Sequence, residues 1–165
     1  MAASAIEQSD TSEMDGKYLT FWTDGQLFGV PIADVVQIVG MQNITNIPEF
    51  PHYAKGVINL RGSIIPLIDM RLRLAKQEAP YDERTCIIVT NIEQRDVGFI
   101  VDEVDEVLSV SGERIVPPPQ IAGNNAAYIT GIGKLDSRVV LLMDTRKIVG
   151  KDELASLADI TGTEN

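Results

Sequence analysis

Two side chains in this sequence are candidates for a catalytic base and a sulfur nucleophile, His52 and Cys86. His52 lies in Pro48–Tyr53, where prolines on both sides of Phe50 predict a fixed, extended loop. Cys86 lies inside a β-prone run, where a buried and inert thiol is the expected state. One histidine and one cysteine cannot supply the usual zinc ligand sets, and no Gly-x-Ser-x-Gly nucleophile motif occurs. The sequence therefore predicts a protein that is not an enzyme and carries no cofactor.

Two other segments have the residue types of ligand sites but the wrong spacing. In Gly131-Ile-Gly-Lys134 the positions for the earlier glycine and the following Ser or Thr of a phosphate loop hold Tyr128 and Leu135. The acidic cluster Asp102, Glu103, Asp105 and Glu106 could attract a divalent cation. Strand alternation, however, predicts that its members lie on two faces, and it lacks the spacing of an EF-hand loop.

The negative charge of the chain is concentrated at its two ends. The formal charge is −10, from 24 acids and 14 bases. Residues 1–16 hold four acids and no base, and residues 151–165 hold four acids and one base, so residues 17–150 hold 16 acids and 13 bases, or −3. Such a chain offers no basic surface to nucleic acid or to an anionic membrane, and no apolar run is long enough for direct membrane insertion. We expect a cytoplasmic protein with a disordered acidic tail over residues 1–16.

The remaining pattern is that of an all-β protein. Two β-prone runs flank Asp24-Gly25, which is a strong hairpin signal. Three more returns are predicted, from Thr85–Thr90 to Val97–Val101, from Gly56–Leu60 to Ile64–Ile68, and from Ile129–Leu135 to Arg138–Met143. Helix signals are few, and we predict one short helix near Arg71 and a C-terminal helix within residues 151–165.

An internal repeat organises these strands. Gly56–Arg71 aligns without a gap on Gly131–Arg146, with five of sixteen positions identical, and Phe28–Val39 matches Val97–Leu108. Two blocks in the same order indicate a duplication, with halves at about 17–80 and 81–150. Because small sheets avoid exposed edges by closing, we predict two five-stranded barrels packed together. Exchange of strands between the halves is allowed, and an apolar seam and a groove are expected between the barrels.

Without catalytic groups, function rests on recognition surfaces. Arg61 lies at the tip of a strand return, where its guanidinium can bind a partner's carboxylate or carbonyl groups; the alternative is a surface arginine with an internal partner. Val35, Val36 and Ile38 cannot all point inward from one strand, so at least one is expected outside, as in an interface. The segment Lys55–Lys76 holds five bases and one acid, whereas Asp102–Glu113 holds only acids among its charged residues.

Three blocks resemble the CheW family of bacterial chemotaxis coupling proteins. The first is Gly56-Val-Ile-Asn-Leu-Arg-Gly-x-Ile-Ile-Pro-x-x-Asp-x-Arg71. The second is Val97–Val107 with Ile115-x-Pro-Pro-Pro, and the third is Tyr128–Gly133 with Leu141–Asp144. The similarity runs from about Lys17 to Gly150. It implies two SH3-like barrels and a non-enzymatic adaptor that couples the cytoplasmic tip of methyl-accepting receptors to the regulatory domain of the histidine kinase CheA. It also implies recruitment to membrane receptor arrays, with further copies of the coupling protein in the array rings.

The resemblance also implies roles for single residues. Arg61 and Asn59 belong to the Asn-Leu-Arg-Gly block, and Val35, Gly56 and Gly98 match positions implicated in kinase or receptor contact. Val107 matches another such position, with core packing as its alternative. The predicted partner-binding residues are Val35, Val36, Gly56, Asn59, Arg61, Gly98 and Val107. A second class of function stays open at this point, a small ligand- or metal-binding β-barrel that uses the groove between the barrels.

Overall fold

The computed structural model describes residues 16–118 and 127–150, most of which form β-strands. The strands in this part of the chain are β1 (Lys17–Thr23), β2 (Gln26–Pro31), β3 (Val35–Gly40), β4 (Ala54–Leu60), β5 (Ser63–Asp69), β6 (Cys86–Ile92), β7 (Arg95–Val101), β8 (Glu103–Ser109), β9 (Ile115–Val116), β10 (Ile129–Lys134) and β11 (Val139–Met143). One-turn helices α1 (Met70–Arg73) and α2 (Thr145–Ile148) follow β5 and β11. The predicted acidic tail, apart from Gly16, and the predicted C-terminal helix lie outside the described residues.

The strands form two SH3-like barrels, as the sequence predicts, although one of them has a sixth strand, the two-residue β9, where five were predicted. Barrel 1 has the strand order β8-β1-β2-β11-β10-β9, and barrel 2 has the order β3-β6-β7-β5-β4. Neighbouring strands are antiparallel except that β2 is parallel to β11 and β5 is parallel to β7. Between β3 and β4, Thr45 forms an isolated antiparallel β-bridge with Val57 of β4. In barrel 1, β9 pairs with β10 at the equivalent position.

The sequence repeat corresponds to a structural repeat. β4, β5 and α1 fold like β10, β11 and α2: a hairpin, then one helical turn capped by an aspartate, Asp69 in the first copy and Asp144 in the second. Each carboxylate accepts a hydrogen bond from a first-turn backbone N–H, that of Leu72 at 3.3 Å and that of Arg146 at 3.0 Å. These caps satisfy amides that so short a helix cannot satisfy itself. The predictions of two similar β subdomains and of a short helix near Arg71 are confirmed.

Each barrel takes strands from both halves of the sequence. The β1–β2 hairpin joins β8 to β11 in barrel 1, and the β6–β7 hairpin joins β3 to β5 in barrel 2. The chain therefore crosses from one barrel to the other after β2 and again after β7. Residues 17–80 and 81–150 each contribute to both barrels, so that neither half contains a complete barrel.

Three apolar clusters match this architecture. Barrel 2 is filled by β-branched residues and leucines, such as Ile65, Ile87 and Val89, and barrel 1 by a smaller set that includes Val140 and Leu142. The largest cluster lies between the barrels and takes residues from both, with Phe21 and Phe28 stacked at 5.8 Å between ring centroids. Each large side chain buried in this seam contributes roughly 1.5–3 kcal/mol. The seam therefore holds the barrels together.

The β6–β7 connection is tighter than the predicted polar loop. Glu93 and Gln94 form a two-residue turn with φ values of +51° and +70°, and Arg95 and Asp96 already belong to β7. The side-chain oxygen of Asn91 accepts a hydrogen bond from the Gln94 amide at 3.2 Å, and its amide group donates to Asp96 at 3.0 Å. These bonds support a turn that lacks the glycine such conformations favour.

Candidate partner-binding surface

Arg61 lies at the exposed tip of the β4–β5 hairpin. It adopts φ +56°, and with Gly62 at φ +90° it forms a two-residue turn. The side-chain oxygen of Asn59 accepts a hydrogen bond from the Gly62 amide at 2.9 Å and fixes the turn. Positive φ is unfavourable for a residue with a Cβ atom and a long side chain. An arginine is therefore held at this tip in spite of a backbone cost.

Arg61 differs from the other bases of the segment 55–76. The other four are engaged within the protein: Lys55 with Glu78, Arg71 with Asp102, Arg73 with the carbonyl of Ile148, and Lys76 with Asp24. The Arg61 side chain makes no hydrogen bond or ion pair with any residue that the structure describes. The alternative of an internal partner therefore finds no support in residues 16–118 and 127–150.

Gly56 and Gly98 occupy positions where the fold itself leaves no room for a side chain. Gly56 is buried with φ +140°, and a Cβ atom there would lie 2.1 Å from the carbonyl oxygen of Thr45, whose bridge to Val57 closes barrel 2. A Cβ atom on Gly98 would lie 2.6 Å from the Leu67 side chain inside the same barrel. Both glycines shape barrel 2, so any effect of these positions on a partner passes through the fold.

Exposed apolar residues lie on four of the described strands, and β3 and β8 hold those at the predicted positions. Val36 and Ile38 point outward from β3, whereas Val35 is half-buried against the seam. This agrees with the prediction that at least one of the three is exposed. Val107 on β8 is 49% exposed, so core packing does not explain it. In the repeat, Ile38 and Val107 are equivalent positions. Each barrel thus exposes an apolar residue at the same place on its β3 or β8 strand.

Sequence reasoning missed two further exposed residues, Ile64 on β5 and Val139 on β11. They too are equivalent in the repeat. The pairs Ile64-Ile65 and Val139-Val140 carried the signal, because consecutive residues of a strand point to opposite faces. Ile64 lies opposite Asn59 in the β4–β5 register. The structure therefore brings Asn59, Arg61 and Ile64 together at one hairpin tip, with Val35 and Val36 on another strand of barrel 2 and Val107 on barrel 1.

Three of the four acids of the cluster, Asp102, Asp105 and Glu106, are paired with arginines. A bulge in the β1–β8 pairing is held by Thr20, whose hydroxyl donates to the Glu106 carbonyl at 2.6 Å and accepts from its amide at 3.1 Å. The bulge brings Asp105 and Glu106, which regular alternation would separate, to within 3.5 and 3.6 Å of the Arg138 guanidinium. Across the described ranges, no group of three or more His, Cys, Asp or Glu side chains is arranged to hold a metal ion.

The two candidate catalytic groups have ordinary surroundings. His52 is exposed and packs edge to face on Tyr53, with ring centroids 5.7 Å apart. Cys86 is half-buried, and its thiol donates to the carbonyl of Arg84 at 3.2 Å. Neither is arranged with a base or acid partner in the part of the chain that the structure describes. In the same part, no helix is long and apolar enough to cross a membrane.

Two groups near the barrel junction titrate away from their ordinary ranges. Burial raises the pKa of Asp34, although Arg146 partly offsets this, and the Asp34 carboxylate accepts a hydrogen bond from Thr145 at 3.5 Å. Burial, with the hydrogen bond that its hydroxyl donates to Asp69 at 2.7 Å, also raises the pKa of Tyr81. Both groups are tied to the turns that follow β2, β5 and β11, so they report on the packing of this junction.

Comparison with known proteins connects these features. A family model described as the CheW-like domain matches residues 17–153. The chain is similar to the chemotaxis protein CheW of Klebsiella aerogenes, with 40% identity over 97% of this chain and 98% of the relative, and to that of Treponema pallidum, with 33% identity over 86% of each. The crystal structure of the scaffolding protein TtCheW from Thermoanaerobacter tengcongensis superposes with a TM-score of 0.77 at 33% identity, over 84% of this chain and 94% of that chain. These relatives are named as chemotaxis and scaffolding proteins rather than as enzymes. The resemblance of the three sequence blocks is thereby confirmed, and the chain belongs to the CheW family.

Proposed function

We propose that this chain is a non-enzymatic adaptor that couples methyl-accepting chemotaxis receptors to the histidine kinase CheA. Membership of the CheW family supports the chemotaxis role, and the name of the solved relative supports scaffolding. The adaptor acts in the cytoplasm and is recruited to membrane receptor arrays. It binds the regulatory domain of the kinase and the cytoplasmic tip of the receptors, and further copies of the chain join the array rings.

The observation that carries this proposal is the guanidinium of Arg61, which has no polar partner within residues 16–118 and 127–150. It is exposed, held by a fixed turn, and flanked by the exposed residues Asn59 and Ile64. Arginine is one of the residue types most enriched among those that dominate binding energy at protein interfaces. We assign the first contact with a partner to this hairpin tip, and further contacts to Val35, Val36 and Val107.

Titration calorimetry with purified partners tests the proposal. The chain is titrated separately with the regulatory domain of the kinase and with a cytoplasmic fragment of a receptor. We expect binding to both, and we expect Arg61→Asn to weaken at least one of the two titrations. Absence of heat with either partner, for a chain that melts cooperatively, would reject the coupling function.

A ligand- or metal-binding barrel finds less support in the described residues. The seam between the barrels is filled by apolar side chains, and three of the four carboxylates of the acidic cluster, Asp102, Asp105 and Glu106, are paired with Arg71 or Arg138. A cleft of about 310 Å³ lies at the junction; two arginines line it, and one of them, Arg71, is bonded to Asp102. A calcium titration followed by NMR should therefore leave the spectrum of this region unchanged.

A further inference from the structure

The second crossing between the barrels is made by a single residue. β7 ends at Val101 in barrel 2 and β8 begins at Glu103 in barrel 1, with a bend at Asp102. Without this bend, residues 95–109 would form one continuous strand. The first crossing is longer, because a turn of 3-10 helix at residues 32–34 separates β2 from β3. Asp102 is therefore the tighter of the two hinges.

The bend is held by contacts from both barrels. The Asp102 carboxylate accepts hydrogen bonds from Nε and Nη2 of Arg71 at 3.0 and 2.7 Å and from the backbone amide of Asp24 at 2.9 Å. Its own amide donates to the carbonyl of Trp22 at 3.1 Å. Arg71 belongs to α1 of barrel 2, and Asp24 lies in the β1–β2 turn of barrel 1. A bidentate, charge-assisted pair of this kind is among the stronger hydrogen-bonded contacts in proteins.

The pair is more than a surface contact. The Arg71 and Asp102 side chains are 21% and 32% exposed, and the hydrogen bond to Asp102 raises the pKa of Arg71. Arg71 also donates to the carbonyl of Gln77 at 3.2 Å, which fixes its orientation. In the bent chain the carboxylate contacts both Arg71 of barrel 2 and the Asp24 amide of barrel 1, and Arg71 also pairs with the Asp24 carboxylate at 3.4 Å.

We propose that the Arg71–Asp102 pair is a latch that keeps the chain a closed monomer, and that a chain without it exchanges β8 to α2 with a second copy of itself. In the exchanged dimer, β1 and β2 of one copy complete barrel 1 with β8 to β11 of the other. Every sheet pairing and every core contact is kept, and only the hinge changes. Closed monomer and exchanged dimer therefore differ mainly in the hinge contacts and in the entropy of association, which makes short hinges a common origin of such dimers. This inference does not depend on the proposed function.

A disulfide reports which copy supplies β8. Lys17 on β1 and Ser109 on β8 are exposed and directly opposite in the register, so Lys17→Cys and Ser109→Cys place two thiols side by side. The native Cys86 is replaced by Ala in all variants. In the closed chain the disulfide forms within one molecule, whereas in the exchanged dimer it joins two molecules and appears as a covalent dimer on a non-reducing gel.

The latch is tested by adding Asp102→Asn or Arg71→Gln to the variant that carries Lys17→Cys, Ser109→Cys and Cys86→Ala. Each protein is unfolded, refolded at high concentration and oxidised, after a melt has shown that it folds cooperatively. We expect the ratio of disulfide-linked dimer to monomer to rise roughly tenfold or more, equivalent to about 1.4 kcal/mol. Asp102→Asn keeps an acceptor for the Asp24 amide, and Arg71→Lys keeps the charge without the paired donors, so both should fold and Arg71→Lys should give an intermediate ratio.

The matched control is Arg114→Gln, which removes an exposed pair with Asp136 at 3.4 Å that makes no contact with Arg71 or Asp102 among the described residues. It should leave the ratio unchanged. The proposal is overturned if the latch variants keep only intramolecular disulfides, whether they run as monomers or as non-covalent dimers. It is also overturned if the protein with an intact Arg71–Asp102 pair, or the Arg114→Gln control, forms as much disulfide-linked dimer as the latch variants.

Discussion

Replacing Arg61 by Asn separates partner binding from folding, because the two effects have opposite signs. Arg61 adopts φ +56° at an exposed turn and makes no polar contact with the described residues. A left-handed conformation costs a residue with a Cβ atom about 1 kcal/mol, and Asn tolerates it better than Arg. We therefore expect Arg61→Asn to raise the free energy of unfolding by about 0.5–1 kcal/mol, which corresponds to an increase in Tm of roughly 1–4 °C.

Binding should change in the other direction. Loss of a charged hydrogen-bonding group at an interface costs about 1–3 kcal/mol, or roughly 5- to 150-fold in Kd. Arg61→Lys should recover part of this loss, because it keeps the charge but not the planar donors. A denaturant melt and titration calorimetry on the same samples measure both quantities, with Arg84→Asn as a control for an exposed arginine elsewhere. A variant that melts earlier than the parent while its partner affinity is intact would show that Arg61 is a structural residue, and the reasoning would fail.

Further predictions follow from other turns and from the junction. Gly56→Ala should lower the free energy of unfolding by about 2 kcal/mol or more, because its Cβ would collide with the Thr45 carbonyl. A denaturant melt that gives a free energy of unfolding within about 0.5 kcal/mol of the parent would contradict this. Gln94→Gly should stabilise by about 0.5–1 kcal/mol by relieving positive φ, and an unchanged denaturant midpoint would refute that strain. Burial raises the folded-state pKa of Asp34 above its unfolded value of 3.8, so its ionised form is penalised at neutral pH. Asp34→Asn should therefore stabilise at pH 7, with the gain declining as the pH falls through the raised pKa and absent below 3.8, and a gain independent of pH would exclude this cause. Deletion of residues 1–15 should leave Tm nearly unchanged, whereas a drop of several degrees in a thermal melt would mean that the tail packs on a barrel.

Much of the fold follows from local patterns. The Asp24-Gly25 turn between two β-prone runs predicts its hairpin, and the repeat predicts that Gly56–Arg71 and Gly131–Arg146 fold alike. Both repeats end in an aspartate that caps one turn of helix. Turn chemistry and capping act within a few residues, so a single sequence contains them.

Strand pairing, in contrast, does not follow from local patterns. Alternation predicts which face of a strand is buried, but not which strand lies beside it. The sequence therefore cannot predict that the β1–β2 and β6–β7 hairpins are exchanged between the barrels. The bulge at Thr20 that gathers Asp105 and Glu106 at Arg138 also depends on a partner 85 residues away in sequence. Contacts of this kind arise only once the two barrels have formed.

The candidate site likewise has features that local sequence predicts and features that depend on distant contacts. The sequence placed Arg61 at a turn and at least one of Val35, Val36 and Ile38 outside, because both follow from local geometry. It could not show that the four neighbouring bases are paired while Arg61 has no polar partner in the described part of the chain, since the partners of the four come from distant segments. Nor could it show that Gly56 faces the Thr45 carbonyl.

The central claim is that one molecule of this chain bridges two partners. Sedimentation velocity of the purified chain with the regulatory domain of the kinase and a cytoplasmic receptor fragment measures this directly. We expect a single boundary that contains all three proteins, and two separate boundaries for the kinase domain and the receptor fragment when the chain is omitted or carries Arg61→Asn. Binding of one partner that always displaces the other, or migration of the chain apart from both, would contradict the account.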